Sequence, residues 1–314
     1  RAIQSRVGLR ERVEAIGRRI IQREMPEEHR VFFEQLPFIV VGTKDPAGQP
    51  WATILSGPPG FVTVPTPSRI EVSAEPAAGD PALEGLEVGA TVALLGIELH
   101  SRARIRANGR VRRRFDGGFS VEIEQTFGNC PKYIQSRHIV PARPPGGEAS
   151  APYERGHGLI PSARTLIASA DTFFIATSHP GGGSDPAIGM DVSHRGGRPG
   201  FIRIDGDVLT VPDFVGNYLF NTLGNLVLEP RAGLVFPDFS TGDLIQISAD
   251  TEIVWDGSEV DGFAGAARLL RFHVRETVRR KGQLDIRETG IVEPSPFLAR
   301  TGSWHSAGGA KEPT

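Results

Sequence analysis

The sequence predicts a mainly β protein with helical additions (α+β), built as two tandem barrels. Three observations predict it. Short β-rich runs broken by Gly or Pro fill the first half, the second half repeats the first in the same order, and a polar, Pro- and Gly-rich stretch lies between them. The 314 residues are about twice an ordinary domain length. Hydrophobic residues at 39% and charged residues at 23% supply a core and exclude disorder, and the 38 Gly and 25 Pro have no period that would suit collagen. With 35 basic against 37 acidic side chains, the net charge of −2 offers no electrostatic reason for a nucleic-acid or membrane-surface partner. The single cysteine excludes an intrachain disulfide, and no apolar run reaches the roughly 18 residues of a membrane span. The amino-terminal segment, with Arg10, Arg12, Arg18 and Arg19, lacks the apolar core of a signal peptide, so the expected location is the cytoplasm.

Residues 1–36 read as helical. Val7, Val13, Ile16, Ile20 and Ile21 recur at roughly helical spacing, and Pro26 divides the segment into two short helices. Residues 37–141 form the first barrel. Phe38 to Thr43 and Trp51 to Leu55 flank the turn Asp45-Pro46-Ala47-Gly48 as a hairpin, and strand-like runs follow at Phe61–Val64, Ile70–Ser73, Thr91–Leu95, Ala103–Ala107 and Phe119–Glu124. Short antiparallel runs of this kind predict an antiparallel barrel. Residues 142–165 are a linker, since Ala142 to Gly158 is too poor in large apolar groups for a strand or a helix face. Residues 166–290 are the second barrel and 291–314 a polar tail. The repeat pairs Phe38-Ile39-Val40-Val41 with Phe174-Ile175-Ala176-Thr177, and Pro59-Gly60-Phe61 with Pro199-Gly200-Phe201. It also pairs Ala90 to Leu95 with Arg231 to Phe236, and Ile105 to Val111 with Ile247 to Ile253.

The differences between the copies point to the second as the one with a site. Copy one carries four carboxylates between Ala74 and Glu87, whereas the matching stretch from Pro212 to Asn225 places Asn217, Asn221 and Asn225 four apart. On a helix these three share one face, able to meet a phosphate without bringing charge; an isolated Asn is more often a cap or turn former. Copy two also has His194, Arg195 and Arg198 where copy one has Ser56-Gly57-Pro58. A lone His or an exposed basic turn is commonly structural, but the cluster among glycines suits a ligand approaching the backbone.

Arg195-Gly-Gly-x-Pro-Gly-Phe201, Asp213-Phe-Val-Gly-Asn217-x-Leu-Phe-Asn221-Thr222-Leu-x-Asn225-Leu and Pro230-Arg-Ala-Gly-Leu together resemble the pyridoxamine 5′-phosphate oxidase-like FMN-binding split-barrel family, in its tandem-barrel form. The resemblance runs from about Glu28 to Gln283 and is strongest in copy two. Phe127-Gly-Asn-Cys130-Pro131-Lys132 is similar to the helix start that closes the barrel in relatives. The resemblance implies two tandem FMN-binding split β-barrels, the first with a degenerate site, and redox chemistry at the isoalloxazine ring. It places the cofactor-binding residues among His194, Arg195, Arg198, Pro212, Asn217, Asn221, Thr222 and Asn225. The carboxyl end, Phe297 to Trp304, departs from the substrate segment of pyridoxamine phosphate oxidases, which argues against that substrate.

Cys130, beside Lys132, has either a depressed pKa or the inertness of most lone cysteines. No His or Cys spacing suits a metal, Gly181-Gly182-Gly183 has no P-loop Lys, and Arg110 with Arg112 to Arg114 lacks interleaved aromatics for nucleic acid. The expected protein is an FMN-dependent oxidoreductase acting on a small molecule, with NAD(P)H or a reductase as donor. The alternative is a non-catalytic flavin- or haem-binding module. A homodimer is expected to wall the pocket, and the competing arrangement is a pseudo-dimer within one chain.

Overall fold

Phe38-Ile39-Val40-Val41 opens a strand whose successive side chains enter different cores. Ile39 and Val41 face the interior of their own barrel, and Phe38 and Val40 face the other barrel. Both faces are buried, and this is why the run is continuously apolar instead of alternating. The computed structural model describes residues 3, 4, 8, 11, 17, 19–74, 77, 79–142, 153–181, 188–216 and 218–304. The first sheet comprises β1 (Phe38–Lys44), β2 (Pro50–Ser56), β3 (Val62–Thr66), β4 (Arg69–Val72), β5 (Thr91–Glu98), β6 (Ala103–Phe115) and β7 (Gly118–Gly128). They are antiparallel in the order β2-β1-β5-β6-β7-β4-β3, one strand for each of the seven runs read from the sequence. β8 (Ser136–Pro141) and β9 (Tyr153–His157) follow.

The second sheet repeats the first. It comprises β10 (Thr172–His179), β11 (Gly189–Gly196), β12 (Arg203–Asp205), β13 (Val208–Phe214), β14 (Arg231–Asp238), β15 (Asp243–Val254) and β16 (Ala266–Arg280). The order β11-β10-β14-β15-β16-β13-β12 is that of the first sheet, strand for strand. Neither sheet closes on itself, so the fold is mainly β with helical additions and consists of two split barrels. β17 (Ile286–Glu293) pairs with β8 in a separate ribbon. The helices are α1 (Glu27–Glu34), α2 (Pro81–Glu84), α3 (Pro161–Ser169), α4 (Asn221–Leu228) and α5 (Ser258–Asp261), with a 3₁₀ turn at Pro296–Arg300. The second of the two expected amino-terminal helices is α1; most of the first lies outside the described residues. No described helix is long and apolar enough to cross a membrane.

Two sequence expectations are corrected. β9 lies within the stretch judged too poor for a strand; its backbone pairs with β16 from Tyr153↔Arg280 to His157↔Glu276, and main-chain ladder bonds do not require apolar side chains. The repeat also holds in a different register. Val41 pairs with Leu94 in the first barrel as Ile175 pairs with Leu234 in the second, so Phe38 is equivalent to Thr172 and not to Phe174. The offset that takes Phe61 to Phe201 also takes Thr91 to Arg231 and Ala107 to Ile247. The pairing read from sequence is offset by one residue at Ala90 and by two at Phe38 and Ile105. A two-residue slip keeps each side chain on its own face, and the one-residue slip went unnoticed because both faces of that strand are apolar.

The barrels pack through a core of their own, in which Phe38, Val40, Ile54 and Leu95 meet Phe174, Val192, Val235 and Phe239. β11 packs on β5 and β6 as β2 packs on β14 and β15, which makes the contact a pseudo-twofold one. Gly233 permits the approach: a Cβ there would lie 2.4 Å from Trp51 Cα.

Candidate functional site

The pseudo-twofold contact has two equivalent corners, and one of them is a cleft. It is lined by Arg104, Arg106, Asn129, Cys130, Lys132 and Tyr133 from the first barrel and its exit segment. From the second barrel it takes Ser193 to Gly196, Phe201, Pro212 to Gly216, Tyr218 to Leu223, and Arg268. One chain thus supplies both walls.

Arg106 organises the floor. It is buried and pairs with Asp191 Oδ1 at 3.0 Å, donates to Val192 O at 2.9 Å, and is bonded to Asn129 and Ser193. Burial lowers its pKa and Asp191 opposes the shift. Thr222 Oγ1 lies 3.0 Å from Ser193 Oγ, and Asn221 Nδ2 donates to Asp191 Oδ1 at 3.5 Å, so the floor reaches the first turn of α4. That turn has no side-chain cap, because Phe220 stands at the N-cap position, and its free backbone N–H groups carry the positive end of the helix dipole. Phe220, Tyr218 and Tyr133 have φ of 58°, 59° and 66°, a conformation costly for large side chains, and all three line the cleft.

Cations dominate the rest. Arg195 and Arg268 share Asp213, the Arg268 contact being 3.3 Å. Arg104 and Lys132 have no carboxylate partner among the described residues. Burial, reinforced by Arg106, presses the Arg104 guanidinium below its ordinary pKa. His194 is 5% exposed, and neither ring nitrogen has a hydrogen-bond partner among the described residues. Burial, followed by Arg104, Arg137 and Arg195, holds its pKa well below the ordinary value, so the imidazole is neutral.

The other corner is filled. By the register above, His194, Arg195, Ser193, Arg106 and Arg104 are equivalent to Ile54, Leu55, Thr53, Gln246 and Leu244. Asp80 accepts from Ala82 N at 2.9 Å, Gln246 Nε2 at 2.9 Å and Thr53 Oγ1 at 2.5 Å, with Trp51 and Arg280 fully buried nearby. Strand β9 lies over the edge, with the Tyr153 ring against Gly79.

Of the residues expected from sequence, the structure brings His194, Arg195, Pro212, Asn221 and Thr222 together in the cleft. Arg198 lies elsewhere and donates to Leu298 O at 3.1 and 3.0 Å, holding the carboxyl-terminal segment. Asn225 also points away, donating to Thr177 Oγ1 at 3.1 Å. Asn217 lies outside the described residues. α4 begins at Asn221, so of the three only Asn221 and Asn225 are described on it. Cys130-Pro131-Lys132 starts a turn, not a helix, with Tyr133 left-handed before β8. Arg104, Arg106, Asp191, Asp213 and Arg268 were missed. Comparing the copies in correct register would have exposed Arg104 and Arg106, which stand against Leu244 and Gln246.

The family model described as pyridoxamine 5′-phosphate oxidase matches residues 25–145, the first barrel, whereas the motif resemblance is strongest in the second. A comparison with curated proteins gives no match. Among solved structures, the chain is similar to HutZ, the haem storage protein of Vibrio cholerae (12% identity, 40% of this chain and 95% of that one, TM-score 0.28). It is likewise similar to an FAD-binding protein of Mesorhizobium loti (8%, 40% and 96%, 0.27) and to HupZ of Group A Streptococcus (13%, 37% and 90%, 0.29). The first barrel belongs to the pyridoxamine 5′-phosphate oxidase-like split-barrel family, and the second barrel repeats its strand order.

Proposed function

We propose that the chain is an FMN-binding flavoprotein, working as an FMN-dependent oxidoreductase on a small molecule with NAD(P)H or a reductase as electron donor. The observation that carries this reading is the cleft built by both barrels, in which an uncapped helix amino terminus, Arg195 and Arg268 meet a buried His194 with both nitrogens orphaned. Such groups fit a phosphate and a heteroaromatic ring: the first turn of α4 and the two arginines would hold the phosphate, and Arg106 would keep Asp191, Ser193 and Thr222 in place. His194, held neutral, would offer the ring one donor and one acceptor. FMN when bound supplies two-electron redox chemistry. The absence of a dinucleotide fingerprint favours FMN over FAD.

Denaturing the purified protein and chromatographing the released chromophore tests the reading. FMN is expected, with a visible band that bleaches on adding NADPH or a reductase. Recovery of FAD or of nothing would overturn it. Recovery of haem would support the second reading, a binding module with His194 as ligand, which the orphaned imidazole favours.

A further inference from the structure

We infer that the cleft takes a second anion: Arg104, assisted by Lys132, docks a carboxylate or phosphate group of the small-molecule substrate, an inference that rests on the reading of the cleft as an FMN site. Arg104 lies on β6, half-buried, with Nε shielded from solvent. Among the described residues its side chain makes no hydrogen bond or ion pair. The other arginines of the cleft have counterions: Arg106 has Asp191, and Arg195 and Arg268 share Asp213. Lys132, on the same barrel's side of the cleft, rests on the Phe297 ring, 5.2 Å from its centroid, and has no carboxylate partner among the described residues.

The equivalent of Arg104 in the other copy shows what the fold alone requires there. It is Leu244, fully buried in the core between the barrels. An apolar side chain therefore satisfies the strand at this position, and the guanidinium brings an uncompensated charge that a bound anion would neutralise. The helix amino terminus belongs to the second barrel's side of the cleft, and Arg104 and Lys132 to the first barrel's. A cofactor phosphate at the helix leaves the second pair of cations for another acid group.

The test uses the FMN-loaded protein and its Arg104→Leu and Arg104→Lys variants. Each is titrated with benzoate, inorganic phosphate and the neutral benzamide, following the flavin absorption band. Wild type is expected to respond to benzoate or phosphate and not to benzamide; whichever anion binds names the acid group. Arg104→Leu should keep its FMN, unfold at a urea concentration no lower than wild type, and lose about ten- to a hundred-fold in anion affinity. Arg104→Lys should recover part of the loss. Loss of FMN from Arg104→Leu would assign Arg104 to the cofactor and overturn the inference. So would equal responses to benzoate and benzamide with none to phosphate. A wild type that takes up no FMN would instead overturn the reading of the site itself.

Discussion

Asn221 and His194 show how single residues set the chemistry of the cleft. Asn221 opens α4 and reaches Asp191, so it adds hydrogen-bonding capacity at a helix amino terminus without adding charge. Asn221→Asp would place a second carboxylate beside Asp191 and against the proposed phosphate. Flavin titration should show FMN binding weakened about ten- to a hundred-fold, while Glu84→Gln, on α2 of the filled corner, should leave it unchanged. His194 makes a prediction about stability. Its folded pKa lies well below the ordinary 6.5, with burial the largest cause and Arg104, Arg137 and Arg195 adding to it. Below about pH 6.5 the unfolded chain binds a proton that the folded chain refuses, so the folded state is disfavoured as the pH falls. The His194 contribution is therefore flat above that pH and declines below it by up to about 1.4 kcal/mol per pH unit. His194→Ile, which installs the residue equivalent in the first barrel, should abolish that decline. Urea midpoints at pH 7.5 and 5.5 for both proteins give the answer: the half-buried His29, also shifted downward by burial, is common to both and cancels. An unchanged pH slope in the variant would show that His194 is not held neutral.

At the scale of elements, the two corners between the barrels share a strand framework and differ in what occupies it. In the filled corner Asp80 caps α2 and accepts from Thr53 and Gln246, tying the loop before α2 to both barrels. Asp80→Ala would strip partners from these buried donors and should cost about 2–4 kcal/mol by urea denaturation. The open cleft should keep its ligand affinity, since its own hydrogen bonds do not pass through Asp80. Much of this framework was legible in the sequence. Phe38 to Val41 and Thr91 to Leu95 are recognisable because strands buried on both faces are continuously apolar, and Pro-Gly-Phe marks the same turn in both barrels. The length of β6 was not legible, because its outer half, Arg110 to Arg114, is a charged and mostly exposed hairpin arm. β9 was hidden for a related reason: an edge strand joined through main-chain bonds leaves little trace in its side chains. At the site, His194 and Arg195 are legible as a cluster among glycines, Asn221 by its helical spacing and Thr222 through the family resemblance. Asn225 rests on helical spacing and Arg198 on its place in a basic, glycine-rich turn, and neither signal shows that α4 starts at Asn221 or that Arg198 holds a distant carbonyl. Arg104 and Arg106 escaped because the copies were aligned two residues out of register at β6.

At the scale of the whole molecule, two barrels of the same strand order pack against each other within one chain. The homodimer was expected on the ground that a cleft between barrels needs walls from both, with the acid-rich first copy supplying too little. In the structure the first copy supplies Arg104, Arg106, Asn129 and the exit segment through Tyr133, and Asp80 of its acid-rich stretch lies in the filled corner instead. Association of whole chains therefore becomes a proposal about assembly that the cleft does not depend on. Covalent linkage also changes the energetics, because two barrels on one chain meet at a fixed effective concentration instead of one set by dilution. The affinity for FMN should then be the same from nanomolar to micromolar protein, even if light scattering shows that chains associate over that range. The interface between barrels should matter far more. Gly233→Val would drive a side chain into the Trp51 backbone, where even a Cβ finds only 2.4 Å, and should lower both stability and FMN affinity at every concentration. Fluorescence titration of flavin across a dilution series, with and without this substitution, checks both expectations. An affinity that falls on dilution of the wild-type protein would mean that a second chain completes the site.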